Sequence, residues 1–393
     1  MKLTQRDARS ARLRALPAYL FDELVRLRHA SEARGVDVID LSIGDPDLGA
    51  PAAVVEALRR HAGDPGLHCY TPQWVIQEFN AAAAGWMRRR FGVSLDPATE
   101  VFPVIGTKEG LAHLPLAVLD PGDLALVPDP GYPVYSRGVW FAGGTVEWMP
   151  LEASRGFLPD LAALRGKHPR LVFVNYPNNP TSAVATAGFY RDLISWAQDT
   201  NAYVASDAAY SEIAFDGHVS ASILAEPGAG DVAIEFHSLS KTFNMAGWRV
   251  GFVAGQASLV AALKTLKSNL DSDVFGPILM ASCVALEQGQ PALDATLEEY
   301  RARRNLILSG LDECGIDYHR SPATLYIWAR VPGGMTSLEF AGALLGRAGL
   351  LVAPGAGFGE CGEGYFRISV TCPTPRVKAA RERLGEVAGL WKK

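Results

Sequence analysis

A lysine, Lys241, stands among hydroxyl-bearing residues in the run Ser238-Leu239-Ser240-Lys241-Thr242, directly after the apolar stretch Val232–Phe236. That stretch has the composition of a buried strand. An amine held near the end of a buried strand loses solvation. Its pKa falls, and the free amine becomes a nucleophile toward an aldehyde. Ser238 and Ser240 offer donors, and Arg249, eight residues past the lysine, offers a fixed positive charge. Donors plus a guanidinium suit a phosphate. Taken alone, these residues also describe a polar surface turn. Taken together, they fit an aldehyde that carries a phosphate, which is pyridoxal 5'-phosphate (PLP).

Other polar residues fall just past apolar runs. Gly106-Thr107-Lys108 follows Glu100–Val104 and opens a helical pattern over Glu109–Val118, where backbone N–H groups can meet a phosphate. Tyr132 follows Leu124–Val127, and its ring can stack on a flat heterocycle or fill core. Asn179, in Asn175-Tyr176-Pro177-Asn178-Asn179-Pro180, can donate from its amide or simply shape a turn. Asp207 ends the run Ala202–Ser206, and Tyr210 comes three residues later. A buried carboxylate facing a pyridine nitrogen keeps that nitrogen protonated, so the ring can accept electrons. Arg367, in Tyr365-Phe366-Arg367-Ile368-Ser369, can grip a carboxylate with two N–H groups.

The elements that must position these residues alternate. Short apolar runs at 100–104, 124–127, 171–174, 202–206 and 232–236 are separated by helical stretches such as Ala187–Gln198. This predicts an α/β fold with a mostly parallel sheet covered on both faces. Ligands of such sheets gather outside the carboxyl ends of the strands. After about Gly289 the pattern becomes α+β, with a helix over Leu297–Leu311, an alternating segment Thr324–Trp328 and a strand Tyr365–Val370. We expect a large domain over 48–288 and a smaller one from 1–47 and 289–393, with a helix near Ala18–Arg34 packing on the latter.

The string Ser238–Gly251 resembles the PLP-lysine signature of class I/II aminotransferases of fold type I. Ile234–Lys241 and Lys267–Ser272 are most similar to the bacterial LL-diaminopimelate aminotransferase branch, and the resemblance runs from about Leu41 to Val370. It implies that Lys241 carries the cofactor and acts as base and then acid. Gly106, Thr107, Lys108, Ser238, Ser240 and Arg249 then hold the phosphate. Tyr132 stacks on the ring, Asn179 and Tyr210 reach its oxygen, and Asp207 faces its nitrogen. The resemblance also implies that Arg367 binds the substrate α-carboxylate, with Gly44 in a loop that closes over it. Asn179 helps to hold the substrate, and the Asn179–Pro180 bond is often cis. Tyr70 matches a tyrosine that reaches the phosphate of a neighbouring subunit, which implies a homodimer with shared sites. The chain departs from the pattern at Ser182 and Val75, where glycine is usual, and at Asn80, where arginine is usual.

The implied activity is transfer of an amino group between an amino acid and a 2-oxo acid, with LL-diaminopimelate and 2-oxoglutarate as a candidate pair. Aspartate, alanine, aromatic or succinyldiaminopimelate aminotransferases, and PLP lyases on the same fold, share these core residues. A PLP-domain transcriptional regulator needs a basic DNA-binding segment in front, and the stretch before Leu41 reads as one helix. The retained polar residues speak against a catalytically silent scaffold.

Composition agrees with a globular enzyme: 393 residues, 48% hydrophobic, net charge −5, with the two signs interspersed. Nothing marks a nucleic-acid face or a polybasic membrane patch. No apolar run has the length of a membrane span, and the first residues lack the apolar core of a secretory signal. The five cysteines are scattered and lack metal-ligand spacing, so we expect no metal and free thiols in a reducing cytoplasm.

Overall fold

The computed structural model describes residues 7–17, 20–320 and 322–390. Its centre is a seven-stranded sheet. In spatial order the strands are Val101–Val104, Gly251–Gly255, Ala233–Ser238, Tyr203–Asp207, Leu171–Asn175, Leu124–Asp129 and Thr145–Pro150. Only Gly251–Gly255 runs against its neighbours. The expected mostly parallel sheet is therefore present, with two strands, Thr145–Pro150 and Gly251–Gly255, that sequence reading did not pick out. Both are short on the β-branched alternation that marks a strand. The first holds Glu147, Trp148 and a terminal proline, and the second is bounded by glycines.

The strands that carry candidate residues are apolar because both faces are covered. Every residue of Leu171–Asn175 and Ala233–Ser238 is buried. On one face Phe236, Phe252 and Leu111 join the core, and on the other Leu126, Val172 and Tyr190 do. Truncating such a fully buried phenylalanine to alanine typically costs about 3–5 kcal/mol, so this face holds the strand ends rigidly.

Boundaries differ locally from the sequence reading, for physical reasons. Val232 closes a short helix, Ala229–Val232, and the strand starts at Ala233. Ser238 ends that strand and caps a helical turn, Leu239–Thr242, by accepting from Ser240 N at 3.2 Å. Lys241 is thus on a helical turn instead of a loose one. The helix expected from Glu109 already begins at Thr107. The charged helix expected over Leu297–Leu311 runs from Gln290 to Cys314, with proline in its first turn and Gly315 at its end. The strand expected at Thr324 begins at Tyr326. Near the N-terminus a helix spans Leu20–Glu32, and Ala18 and Tyr19 lie outside the described residues.

A three-stranded antiparallel sheet, Ala353–Pro354, Tyr365–Ser369 and Tyr326–Arg330 in that order, carries Arg367 on its middle strand. Ile39–Asp40 pairs with Leu350–Leu351 and leads the chain into the segment around Gly44. The helices Gln290–Cys314 and Thr374–Val387 pack on each other beside this sheet, around Tyr300, Ile307, Phe340 and Phe366.

Candidate active site

The carboxyl ends of the parallel strands open on a cavity of about 460 Å³, within the range of small-ligand pockets. Its lining includes Gly44, Thr107, Lys108, Tyr132, Asn179, Asp207, Tyr210, Ser238, Ser240, Lys241, Arg249 and Arg367. Segments 44, 107–108, 132, 179, 207–210, 238–249 and 367 are far apart in sequence and meet here.

Lys241 Nζ donates to the Gly44 carbonyl at 2.6 Å. Burial holds this amine down at about 8 against an ordinary 10.5; Asp45 opposes the shift, and the positive charges of Arg367 and Arg249 reinforce it. The Asp207 side chain is buried. Burial pushes its carboxyl up to about 6, against hydrogen bonds from the Tyr135 hydroxyl at 2.7 Å and Ala209 N at 3.1 Å. Tyr210 is buried, which drives its phenol well above the ordinary range, and its hydroxyl lies 2.8 Å from that of Tyr326.

At one end of the cavity Gly106 adopts φ +77° just before the helix at Thr107. A Cβ there would collide with the Arg249 guanidinium, so glycine lets that group lie against the helix N-terminus. Arg249 itself has φ +54° and donates to the Ala246 carbonyl at 2.8 Å. Thr107, Ser238 and Ser240 face the same space. This donor set, one guanidinium with hydroxyls and a helix start, fits a phosphate. A buried carboxylate, Asp207, and the Lys241 amine with its lowered pKa line the same cavity. The residues present therefore fit PLP.

At the other end Arg367, 1% exposed, donates to Asn179 Oδ1 at 2.6 Å and to the Ser42 carbonyl at 2.5 Å. Its guanidinium carbon lies 4.0 Å from the Tyr326 ring centre and 4.7 Å from that of Phe358. The Gly44 segment is pinned again where Thr371 Oγ1 donates to the Ile43 carbonyl at 3.0 Å. The Asn179–Pro180 bond is cis.

Tyr70 is not in the cavity of its own chain and is 84% exposed. Ser182 takes φ +62°, a conformation that suits glycine. Asn80 is buried, donates to the Pro97 carbonyl at 3.0 Å and lies outside the main cavity. Val75 is fully buried in the helix Gln73–Phe91.

Sequence reading missed Tyr135, Asn175 and Tyr326. Tyr135 reaches Asp207 from the next element, with its ring stacked on Phe173. Asn175 Nδ2 donates to the Asp207 carbonyl at 2.7 Å, and its Oδ1 accepts from Asn179 N at 2.8 Å. The available signal was position, since Asn175 ends a strand beside the one that ends in Asp207. Among the described residues, one grouping of carboxylate and imidazole atoms is close enough to hold an ion: Glu109, His113 and Asp271. The buried Lys267 ammonium already bonds to Glu109 and Asp271 there.

The fold and cavity define a PLP-dependent enzyme of fold type I. The sequence model of the family "Aminotransferase class I and II" matches residues 36–384. The LL-diaminopimelate aminotransferase of Aquifex aeolicus is 49% identical over 378 residues, covering 95% of this chain and 98% of its own. The substrate-bound BacF structure from Bacillus subtillis superposes with a TM-score of 0.92 at 33% identity, covering 98% of both chains. A probable N-succinyldiaminopimelate aminotransferase from Thermus thermophilus gives 0.88 at 34% identity, covering 93% of this chain and 99% of that one. The chain belongs to the class I and II aminotransferases and is a PLP-dependent transaminase.

Proposed function

We propose that the protein moves the amino group of LL-diaminopimelate to 2-oxoglutarate. The observation that carries the catalytic part is one cavity holding both the Lys241 amine and the Arg367 guanidinium, a nucleophile and base beside a carboxylate grip. The substrate part is supported by relatives named LL-diaminopimelate aminotransferase at 45–49% identity.

PLP, when bound, supplies an aldehyde for the amino group and a ring that accepts the electron pair released at the substrate α-carbon. Gly106, Thr107, Lys108, Ser238, Ser240 and Arg249 hold the phosphate. Tyr132 would lie against the ring, Asp207 would face its nitrogen, and Asn179 and Tyr210 would serve its oxygen; all four line the cavity. Lys241 would be the attachment point. Its freed Nζ would take the proton from the substrate Cα as base and, as acid, hand it to the former aldehyde carbon of the bound group. Burial lowers the amine from 10.5 to about 8, so a far larger neutral fraction is present near pH 8 than for an exposed lysine. Arg367 fixes the α-carboxylate, with Asn179 holding the guanidinium, so that the α C–H bond is oriented for attack.

We also propose a cytoplasmic homodimer. Tyr70, Trp74, Leu270 and Phe275 are exposed large apolar residues in two segments tied by the Thr71 hydroxyl to the Val274 carbonyl at 2.7 Å. An apolar patch of this kind suits a partner surface, and a second copy would bring Tyr70 to its neighbour's phosphate end. The five cysteines are unpaired, as a reducing compartment requires. No helix among the described residues is long and apolar enough to cross a membrane. We divide the chain into a large unit, 48–288, and a small one, 1–47 with 289–393, which supply the lysine and the Arg367 grip respectively.

A panel of amino donors with 2-oxoglutarate tests the substrate. LL-diaminopimelate should give the highest kcat/KM. A clear preference for aspartate, alanine, an aromatic amino acid or N-succinyl-diaminopimelate would contradict that choice. Release of ammonia and a 2-oxo acid with no acceptor present would point to lyase chemistry.

A further inference from the structure

We propose that Ser182 is a positioning residue for the carboxylate end of the site. With Thr324 it forms a pair of hydroxyls that seats Tyr326, and through the Tyr326 ring it sets the Arg367 guanidinium. The proposal rests on the reading of Arg367 as the α-carboxylate grip.

Ser182 has φ +62° and Thr324 has φ +73°. Both carry a Cβ, and threonine is β-branched, so both positions are strained. Such conformations persist where surrounding contacts over-determine them. Here the contacts join the two strained residues to each other. Ser182 Oγ lies 2.7 Å from Thr324 Oγ1 and donates to the Tyr326 carbonyl at 2.8 Å. Either hydroxyl can donate to the other, and Thr324 Oγ1 also lies 3.4 Å from the Tyr326 carbonyl, so the two hydroxyls share that acceptor. Thr324 Oγ1 in turn accepts from Tyr326 N at 3.1 Å. Both polar backbone groups of Tyr326 are thereby held by the hydroxyl pair. All three residues are buried, so these bonds do not compete with solvent.

Tyr326 is where the parts of the site meet. Its ring lies under Arg367, its hydroxyl is 2.8 Å from that of Tyr210, and it fills the space a side chain at position 44 would need. Ser182 follows the Asn179 segment, while Tyr326 starts the strand beside the one that carries Arg367. Arg367 and Asn179 are joined directly at 2.6 Å, and the Ser182 hydroxyl acts beside that bond by holding the Tyr326 backbone, and so the ring on which the Arg367 guanidinium lies.

The test uses the holoenzymes of Ser182→Gly, Ser182→Ala and Arg367→Ala. Thermal unfolding, steady-state kinetics and calorimetric binding of 2-oxoglutarate are measured on each. Ser182→Gly relieves the backbone strain, so its unfolding temperature should hold or rise. Its affinity for 2-oxoglutarate should nevertheless fall about three- to tenfold, as for a lost buried hydrogen bond. KM for the amino donor should rise with it, more than kcat falls, and Ser182→Ala should behave alike in binding. Stability and binding moving in opposite directions is a result that a merely structural serine would not give. If both Ser182 variants bind 2-oxoglutarate within about twofold of wild type while Arg367→Ala does not, the positioning role is wrong and the carboxylate reading stands. If Arg367→Ala also binds normally, the carboxylate reading falls and the proposal with it. A drop in the unfolding temperature of Ser182→Gly that accounts for the lost affinity would overturn the proposal as well.

Discussion

The Tyr135 hydroxyl donates to Asp207 Oδ2 at 2.7 Å, inside the core and behind the cavity. Burial raises the Asp207 carboxyl to about 6, and the largest opposing influence is this hydrogen bond. In the role proposed for it Asp207 has to be a carboxylate, and the Tyr135 hydrogen bond favours that form.

Tyr135→Phe removes a donor to the charged form, and the Asp207 pKa should rise above its present value of about 6. A buried charge-assisted bond is worth roughly 1.5–3 kcal/mol, so the acid limb of kcat/KM should move up by about one pH unit or more. Activity should drop markedly at pH 6 and much less at pH 8.5. A pH profile superimposable on wild type would show that Tyr135 has no such role.

Arg367→Ala should lower kcat/KM roughly a hundredfold or more, as expected for a lost two-point charged contact. Arg367→Lys should recover only part of this, since an ammonium keeps the charge and loses the fork. The cofactor spectrum should persist, because the proposed phosphate contact is Arg249 and not Arg367. Loss of PLP binding in Arg367→Ala with normal amino-acid affinity would exchange the two roles.

The Lys241 amine also predicts how the apoenzyme responds to pH. Its folded value of about 8 lies below the ordinary 10.5. Between those values the unfolded chain binds the extra proton, so stability rises with pH across that window and the penalty is fully present below about 8. The difference corresponds to at most roughly 3 kcal/mol. Apo Lys241→Met should therefore unfold at a higher temperature than apo wild type at pH 7, with the gap narrowing toward pH 10. A gap independent of pH would mean that burial does not depress the pKa of this amine.

Shared sites can be tested by mixing subunits. Tyr70→Phe and Lys241→Ala chains, each impaired alone, should form mixed dimers in which one of the two sites carries neither change. Recovered activity supports sharing. A fully active monomer would exclude it.

Most of the site was legible because its chemistry lies in residues that break an apolar run: Lys241 and Ser238 after 233–237, Asp207 at the end of 203–207, Gly106 after 101–104. A polar residue at the end of a buried strand is conspicuous in sequence. Tyr135, Tyr326 and Asn175 were not conspicuous. Tyr135 and Tyr326 read as core aromatics, and they are buried; only tertiary packing turns their hydroxyls toward Asp207 and Tyr210. Ser42 acts through its backbone carbonyl, which no side chain reveals. The Gly251–Gly255 strand was obscure for a related reason. It lies antiparallel between two parallel-running strands, and its glycines approach neighbouring backbone closely, so it lacks the bulky side chains that announce a strand.

The central claim is that Lys241 carries the cofactor. Borohydride reduction of the purified holoenzyme, followed by proteolysis and mass spectrometry of the peptides, tests it most directly. A reduced pyridoxyl-phosphate adduct is expected on the peptide that contains Lys241, and none in the Lys241→Ala protein. An adduct on another lysine of the wild type, such as Lys108 or Lys267, together with normal turnover of Lys241→Ala, would contradict it.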